Sequence, residues 1–516
     1  MVIGAGAGGL AAAALLASRG LEVVVLERAA QVGGKMREVE AGGRRIDAGP
    51  TVLTMRWVFE ELFAECGFRL DDHVRLRQAD ILARHAWADG SRLDLFADLE
   101  RSAEAIGALA GPREADGYRR FCAYAKDIFD SVEGPFLRAE RPTMRTLLST
   151  AGDLGLGGIL RIDGYRTLWR ALGDFFQDPR LLQLFGRYAT YCGSSPFLAP
   201  ATLNVVAHVE RQGVWLVEGG MYRMAEALAG AAVRAGATVR CGAPVAEIEV
   251  SGGWARGVRL ASGEVIRAGA VVLNGDVGAL AQGMLGRGAA RKAPGEAQRS
   301  LSAITWALTG EARGFPLVHH NVFFSSDYPA EFSELFERAE VPGEPTVYVC
   351  AEDRGAEGAA ALDLHLDRAR AVESRGPERL LCLINAPATG DSRPLPPQEI
   401  RECEARTFNH LRRLGLSIEP SSDPVVTTPA DFERLFPGTG GALYGPASHG
   451  WSAPLSRAPS RAKLRGLYLA GGSVHPGAGV PMATLSGRLA ATSVLEDLAL
   501  TSRSRAAGMR GGTWMR

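Results

Sequence analysis

The chain has 516 residues, 46% hydrophobic and 22% charged, and its 58 basic residues balance 58 acidic ones. That length exceeds what a single hydrophobic core organises and implies two or three domains, while a formal charge of zero gives no field to recruit a nucleic-acid partner. Seven scattered cysteines without a CxxC pair indicate neither a disulfide framework nor a zinc site.

From Val2 to Glu27 the residues read as a short strand, a glycine turn, an alanine-rich helix over Leu10 to Ser18, and the strand "EVVVLE", which together predict a βαβ unit. Inside the turn "GAGAGG", Gly4, Gly6 and Gly9 stand in G-x-G-x-x-G register, with Gly8 between them, and Glu27 ends the second strand. The register has a physical purpose. Gly4 permits the tight turn, Gly6 lets the backbone approach a pyrophosphate, and Gly9 lets helix and strand pack closely, while the helix N-terminus faces the anion. Glu27 can accept from both ribose hydroxyls, which disfavours a 2′-phosphate. A second glycine pair, Gly33 and Gly34, follows with Lys35 and Arg37 close behind and suits a far phosphate; "IDAGPTV", Asp47 to Val52, comes next.

Residues 101–205 carry helix-like apolar spacing in "YRRFCAYAKDIF" and "GYRTLWRALGDFF". The stretch "GGMYRMAEALAGAAVRAGATVRCGAPVAEIEV" predicts a helix, then a strand, then a hairpin about Gly252-Gly253, and "AVVLNGD" returns to the opening sheet. Residues 300–425 mix strands with an amphipathic helix near 397–414, which predicts an antiparallel sheet with a helix on one face. His319 and His320 are adjacent, so on a strand they would point to opposite faces, and with no third ligand evident no metal site is read. Near the end, "GLYLAGGSVHPGAGVPMATLSG", residues 466–487, repeats the strand, glycine turn and helix of the opening. The tail from 501 to 516 carries Arg503, Arg505, Arg510 and Arg516 without an acid and reads as a solvated basic end. No leader of signal-peptide type and no 18-residue apolar run is present, so a protein on the cytoplasmic side, attached to a membrane surface at most, is expected.

The βαβ unit continuing into a "GGK" loop resembles the FAD-containing amine oxidase and carotenoid desaturase superfamily, and the "HPGAG" form of the closing segment resembles phytoene-desaturase-type carotenoid oxidoreductases. "GPTVLTMRWVFEELF" and "FPLVHHNVFFSSDYPAEF" are most similar to the hydroxycarotenoid 3,4-desaturases, also called methoxyneurosporene dehydrogenases. The resemblance implies an α/β fold with a discontinuous Rossmann-like FAD domain from 1–75, 206–292 and 426–500. It adds an antiparallel-sheet substrate domain from 76–100 and 293–425 and a helical insertion over 101–205. It also implies which residues hold FAD: Gly4, Gly6, Gly8, Gly9, Glu27, Arg28, Gly33, Gly34, Lys35, Gly49, Pro50, Thr51 and Val245, then Gly471, Gly472, Gly479, Val480 and Pro481 of the closing segment.

The implied reaction is a C3–C4 desaturation of an acyclic 1-hydroxy or 1-methoxy carotenoid. An unactivated hydrocarbon cannot first lose a proton to a protein base, so hydride transfer to the flavin leads, and the neighbouring carbon then becomes acidic. The protein would sit peripherally on a membrane and pass electrons to oxygen or a quinone. His475 and Arg56 are the candidates for substrate contact, each with a plain structural alternative. A phytoene-type desaturase, a flavin amine oxidase and a non-catalytic isoprenoid carrier remain open at this point; against the amine oxidase, no cysteine follows Cys403 to tether a flavin.

Overall fold

The computed structural model describes residues 1–140, 162–295, 297–355 and 376–510. Five strands, Leu467–Leu469, Val271–Leu273, Val2–Ile3, Val24–Leu26 and Thr238–Arg240, lie side by side in that order and all run parallel. The three central strands are unbroken apolar runs, as a parallel sheet covered on both faces demands. Helix Ala7–Ser18 follows the same logic, with every residue from Ala7 to Ala17 buried. It is enclosed by the sheet, by helix Tyr222–Arg234 and by the final helix Val480–Arg510, so a side chain on any face meets protein. Glycine sets how closely the first and last helices cross: a Cβ on Gly487 would stand 2.1 Å from the Gly8 carbonyl oxygen. Segments from both ends of the chain and from its middle therefore share one sheet and one core.

A second, eight-stranded sheet runs in the order Ser417–Pro420, Ser302–Arg313, Glu378–Ala386, Val347–Ala351, His320–Phe323, Ile81–Ala86 and Arg92–Phe96, with Val425–Thr427 also paired to Ser302–Arg313. All its pairings are antiparallel except that of His320–Phe323 with Ile81–Ala86. Helix Pro397–Arg413 covers one face through Cys403, Thr407, His410 and Leu411, a 3.6-residue stripe. It is pinned there by Trp306, whose Nε1–H donates to Glu404 at 3.0 Å. Two sequence boundaries fall elsewhere than expected. Val425–Thr427 belongs to this sheet, so the division at 425/426 cuts a strand, and Leu76–Gln78 leaves the sheet to pair with Trp215–Val217.

The helical region contains Leu99–Ala110, Pro112–Val132, Pro179–Gly186 and Val205–Arg211. Asp98 caps the first of these by accepting from the Arg101 amide at 2.9 Å, and Gly111, at φ 99°, turns the chain so that Pro112 starts the next. Phe121, Phe176 and Phe185 fill the space between, with Phe176 and Phe185 stacked at 4.8 Å. Part of the expected insertion, 141–161, lies outside the described residues. The expected solvated tail is corrected in part: the last helix continues to Arg510, because leucine, alanine and arginine prolong a helix that no proline interrupts. Residues 511–516, including Arg516, lie outside the described residues.

Candidate active site

The two glycine turns that the sequence separates by about 460 residues touch each other. A Cβ on Gly8 would meet the Asn274 side-chain oxygen at 2.7 Å, the Ala483 carbonyl at 2.8 Å and the Gly471 amide at 3.0 Å. Gly9 is closer still, with the Gly4 carbonyl 2.1 Å from where its Cβ would be. Gly33 joins from the second glycine pair, donating its N–H to the Ala5 carbonyl at 2.8 Å, and Gly34 packs on Gly6. Gly4 and Gly33 hold φ of 92° and 112°, a region that side chains disfavour. The result is a bare backbone cradle at the carboxyl ends of three parallel strands.

That cradle fits a dinucleotide. Gly6 caps helix Ala7–Ser18 without any side-chain acceptor, so the first-turn amides are not spent on a side chain and the helix dipole is open to an anion. Glu27 is buried and accepts from the Ala5 amide at 2.7 Å through one oxygen and the Ala29 amide at 2.8 Å through the other. Each oxygen keeps a further lone pair for a ribose hydroxyl. Val245 opens a strand whose preceding segment is fastened alongside, the Ala243 amide donating to the Glu27 carbonyl at 2.8 Å.

The cradle leads into a cavity of about 670 Å³. Gly49, Pro50 and Thr51 form one edge, and Gly479, Val480 and Pro481 form another. Phe129, Val132 and Phe136 close it from the helical region, and Tyr348, Leu383 and Asn385 from the eight-stranded sheet. No Asp, Glu or His is among the described residues that line it.

Three of the expected residues have protein partners of their own. Arg28 extends outward and donates to the Arg434 carbonyl. Lys35 is half-buried, its amine donating to the Leu443 carbonyl at 2.6 Å and lying over the Phe436 ring, and desolvation of that amine pulls its pKa down. Gly472 offers its carbonyl to Arg457 at 2.8 Å. Neither catalytic candidate lines the cavity. Arg56 pairs with Glu60 and Asp71 and lies over Trp215, while the ring of His475 bonds the Phe136 carbonyl at 2.8 Å. Burial lowers His475 to about 4, so it is a neutral strut between the closing turn and the helical region.

The expected geometry of His319 and His320 is overturned. The strand begins only at His320, so alternation does not govern His319, and the two rings meet edge to face at 4.5 Å. A third group is present as well, Cys350, with its sulfur 3.6 Å from His319 Nε2. Burial holds the His320 imidazole well below and the Cys350 thiol well above their ordinary ranges. His319 Nδ1 bonds the Arg354 carbonyl and His320 Nδ1 the Tyr348 hydroxyl, which also meets Thr51 at 2.7 Å. The group thus continues a buried hydrogen-bond chain behind the cavity wall.

Asn274 and Arg457 had not been singled out, yet both organise the site. Asn274 closes the all-apolar strand Val271–Leu273 and packs against Gly4, Gly6, Gly8, Gly9 and Gly471; a polar residue ending a buried parallel strand at a sheet's switch point was the available signal. Arg457, nearly buried, bonds the Gly472 carbonyl at 2.8 Å and the Pro446 carbonyl at 3.0 Å, and nothing in its local sequence marks it.

Comparison with known proteins agrees with this geometry. The chain is 52% identical to a hydroxyneurosporene desaturase of Rubrivivax gelatinosus, covering 99% of this chain and 96% of that protein. It is 45% identical to one from Cereibacter sphaeroides over 98% of both. A 4,4'-diapolycopene oxygenase of Methylomonas is 32% identical over 96% of this chain and 98% of its own length. Among solved structures, putrescine oxidase bound to putrescine aligns with a TM-score of 0.60 at 15% identity over 96% of this chain and 98% of its own, and an oxidoreductase from Methanosarcina mazei with 0.58, also at 15%, over 96% and 99%. The model of the flavin containing amine oxidoreductases matches residues 7–495. The cofactor is FAD, and the chain belongs to the flavin-containing amine oxidoreductase family, alongside the hydroxyneurosporene desaturases.

Proposed function

We propose that the protein is an FAD-dependent carotenoid desaturase that introduces a C3–C4 double bond into acyclic 1-hydroxy or 1-methoxy carotenoids. The observation that carries this reading is the cavity itself, which adjoins the two-ended glycine cradle and offers neither carboxylate nor imidazole among its described lining residues. Such a wall suits chemistry that begins with oxidation and not with proton abstraction. FAD, when bound, supplies the hydride acceptor. The chain supplies the rest. Gly49–Thr51 and Gly479–Pro481 frame the reacting end, the apolar helical wall orients a long polyene and excludes water, and the neutral Tyr348 hydroxyl, tied to Thr51 and His320, gives a fixed dipole. An amine oxidase would draw a cationic substrate to this place, whereas the cavity wall carries the positive charge of Arg187 and no acid among its described residues.

The substrate resides in lipid, so peripheral membrane attachment on the cytoplasmic side belongs to the same proposal. Tyr165 and Trp451 support it: both line the cavity and are 71% and 65% exposed, which marks its mouth with apolar rings. Reduced flavin passes its electrons to oxygen or a quinone. We also infer the domain division given above with those two boundaries moved, since the parallel sheet draws its strands only from the segments assigned to FAD. The test is anaerobic incubation of the holoprotein with a 1-hydroxy acyclic carotenoid. Bleaching of flavin absorbance near about 450 nm, with a product lengthened by one conjugated double bond, is expected. Equal turnover of phytoene, or no bleaching, refutes the reading.

A further inference from the structure

The cavity wall contains a cation flanked by rings where an acid would be expected. Arg187 begins the 3-10 helix Arg187–Cys192 and lines the cavity. Its guanidinium lies 5.6 Å from the Tyr191 ring and 5.6 Å from the Tyr348 ring. The buried carboxylate on this side, Glu210, is already engaged by the hydroxyls of Tyr188 and Tyr191, and the Tyr348 hydroxyl by Thr51 and His320. Among the described residues Arg187 has no carboxylate within salt-bridge distance; the charge of Glu210 offsets its own from further away, and Tyr191 is its hydrogen-bond partner. The contrast with Arg457, the other arginine of the lining, is informative: its nitrogens are spent on the carbonyls of Tyr444, Pro446 and Gly472. A guanidinium stays charged at any pH a protein survives, and holding one in an apolar wall is unfavourable unless an acceptor arrives.

We propose that Arg187 is the specificity-determining residue that receives the oxygen on the terminal carbon of the substrate. This rests on the hydroxy- or methoxy-carotenoid reading above. Position and chemistry both support it. An oxygen on C1 is separated from C3 by one carbon–oxygen and two carbon–carbon bonds of ~1.5 Å each, so its subsite must lie close to the reacting edge. Arg187 meets that condition, because it stacks on Tyr348, whose hydroxyl is 2.7 Å from Thr51 in the segment framing that edge. Chemically, arginine donates and never accepts. It therefore reads the oxygen as an acceptor, which an alcohol and a methyl ether both provide, whereas a carboxylate would accept only the alcohol. A plain hydrocarbon end would desolvate the guanidinium and leave its donors facing the cavity unfilled, with Tyr191 and the charge of Glu210 its remaining partners, and a site built for a polar group rejects such an analogue.

The experiment compares kcat/KM for a 1-hydroxy carotenoid, its 1-methoxy ether and the parent hydrocarbon of equal conjugation, in wild type, Arg187→Leu and Arg187→Lys holoprotein, with flavin content measured in each. Wild type should prefer both oxygenated substrates. In Arg187→Leu the preference should fall on the order of 10- to 100-fold, through loss on the oxygenated substrates together with a gain on the hydrocarbon, which no longer desolvates a charge. Arg187→Lys should fall between, since it keeps charge but not the fork. A purely structural role would lower all three substrates alike, and an unchanged preference in flavin-loaded Arg187→Leu overturns the assignment. Should Arg187→Leu lose its flavin, the preference of Arg187→Lys decides: unchanged, it overturns the assignment; reduced, it supports it. If wild type itself shows no preference, the substrate reading falls, and the assignment with it.

Discussion

Gly487→Ala is the sharpest test of how the two ends of the chain are held together. The new Cβ would sit 2.1 Å from the Gly8 carbonyl oxygen, 2.8 Å from its carbon and 3.0 Å from the Ala11 side chain. Ordinary contact requires about 3.4 Å, so the helices must separate by more than an ångström, and the obstacle is backbone that cannot rotate aside. Overpacking of this kind costs about 3 kcal/mol, the upper end of the usual range, because both partners are rigid. Val480 and Pro481 at the start of the same helix line the cavity and move with it, and Gly471 withdraws from Gly8. If the whole cost falls on the FAD-bound state, affinity drops by about 100-fold. Thermal unfolding with and without added FAD, together with fluorescence titration of deflavinated protein, measures both effects. Gly269→Ala, where nothing lies within 4 Å of the new atom, is the control. A Gly487→Ala protein that melts with the wild type and binds FAD within twofold of it would refute the crossing.

Glu331 is buried among Thr346 and Ser325, and burial raises its carboxyl from 4.5 to about 7. Between these values the folded state holds a proton that the unfolded chain has released, so the contribution of Glu331 to stability is fullest below about pH 4.5 and is lost as pH rises through about 7, by up to about 3 kcal/mol. Glu331→Gln should flatten this part of the stability-pH curve, and an identical slope would refute it. His475→Ala removes a hydrogen bond to the Phe136 carbonyl and should lower stability by about 1–3 kcal/mol while leaving the shape of the pH-rate profile unchanged; loss of an ionisation near neutrality would restore a catalytic role. Replacing Tyr165 and Trp451 together by serine should reduce sedimentation with lipid vesicles without changing flavin content, and undiminished binding would move the membrane contact elsewhere.

Local patterns made the βαβ unit, the Gly4–Gly9 register, Glu27 and the closing glycine turn legible, because each answers a constraint met within a few residues: a tight turn, a close backbone approach, an acid at a strand end. His319 and His320 show the limit. Alternation predicts opposite faces, yet where the strand starts depends on Cys350 and Tyr348 in a neighbouring strand. Arg56 and His475 looked able to reach substrate, but Asp71, across a turn of the chain, and Phe136, far along it, hold them away.

By itself the amino-acid order determined a dinucleotide-binding βαβ unit at the start of the chain and a matching glycine turn near its end, since glycine spacing and strand-end chemistry are local properties; the reaction came from family resemblance. Only the tertiary structure decided what faces the cavity. Arg187, Tyr348 and Val480 lie on three elements far apart in sequence, and their convergence follows from which strands pair and which helices cross, a choice made by the packing of whole surfaces.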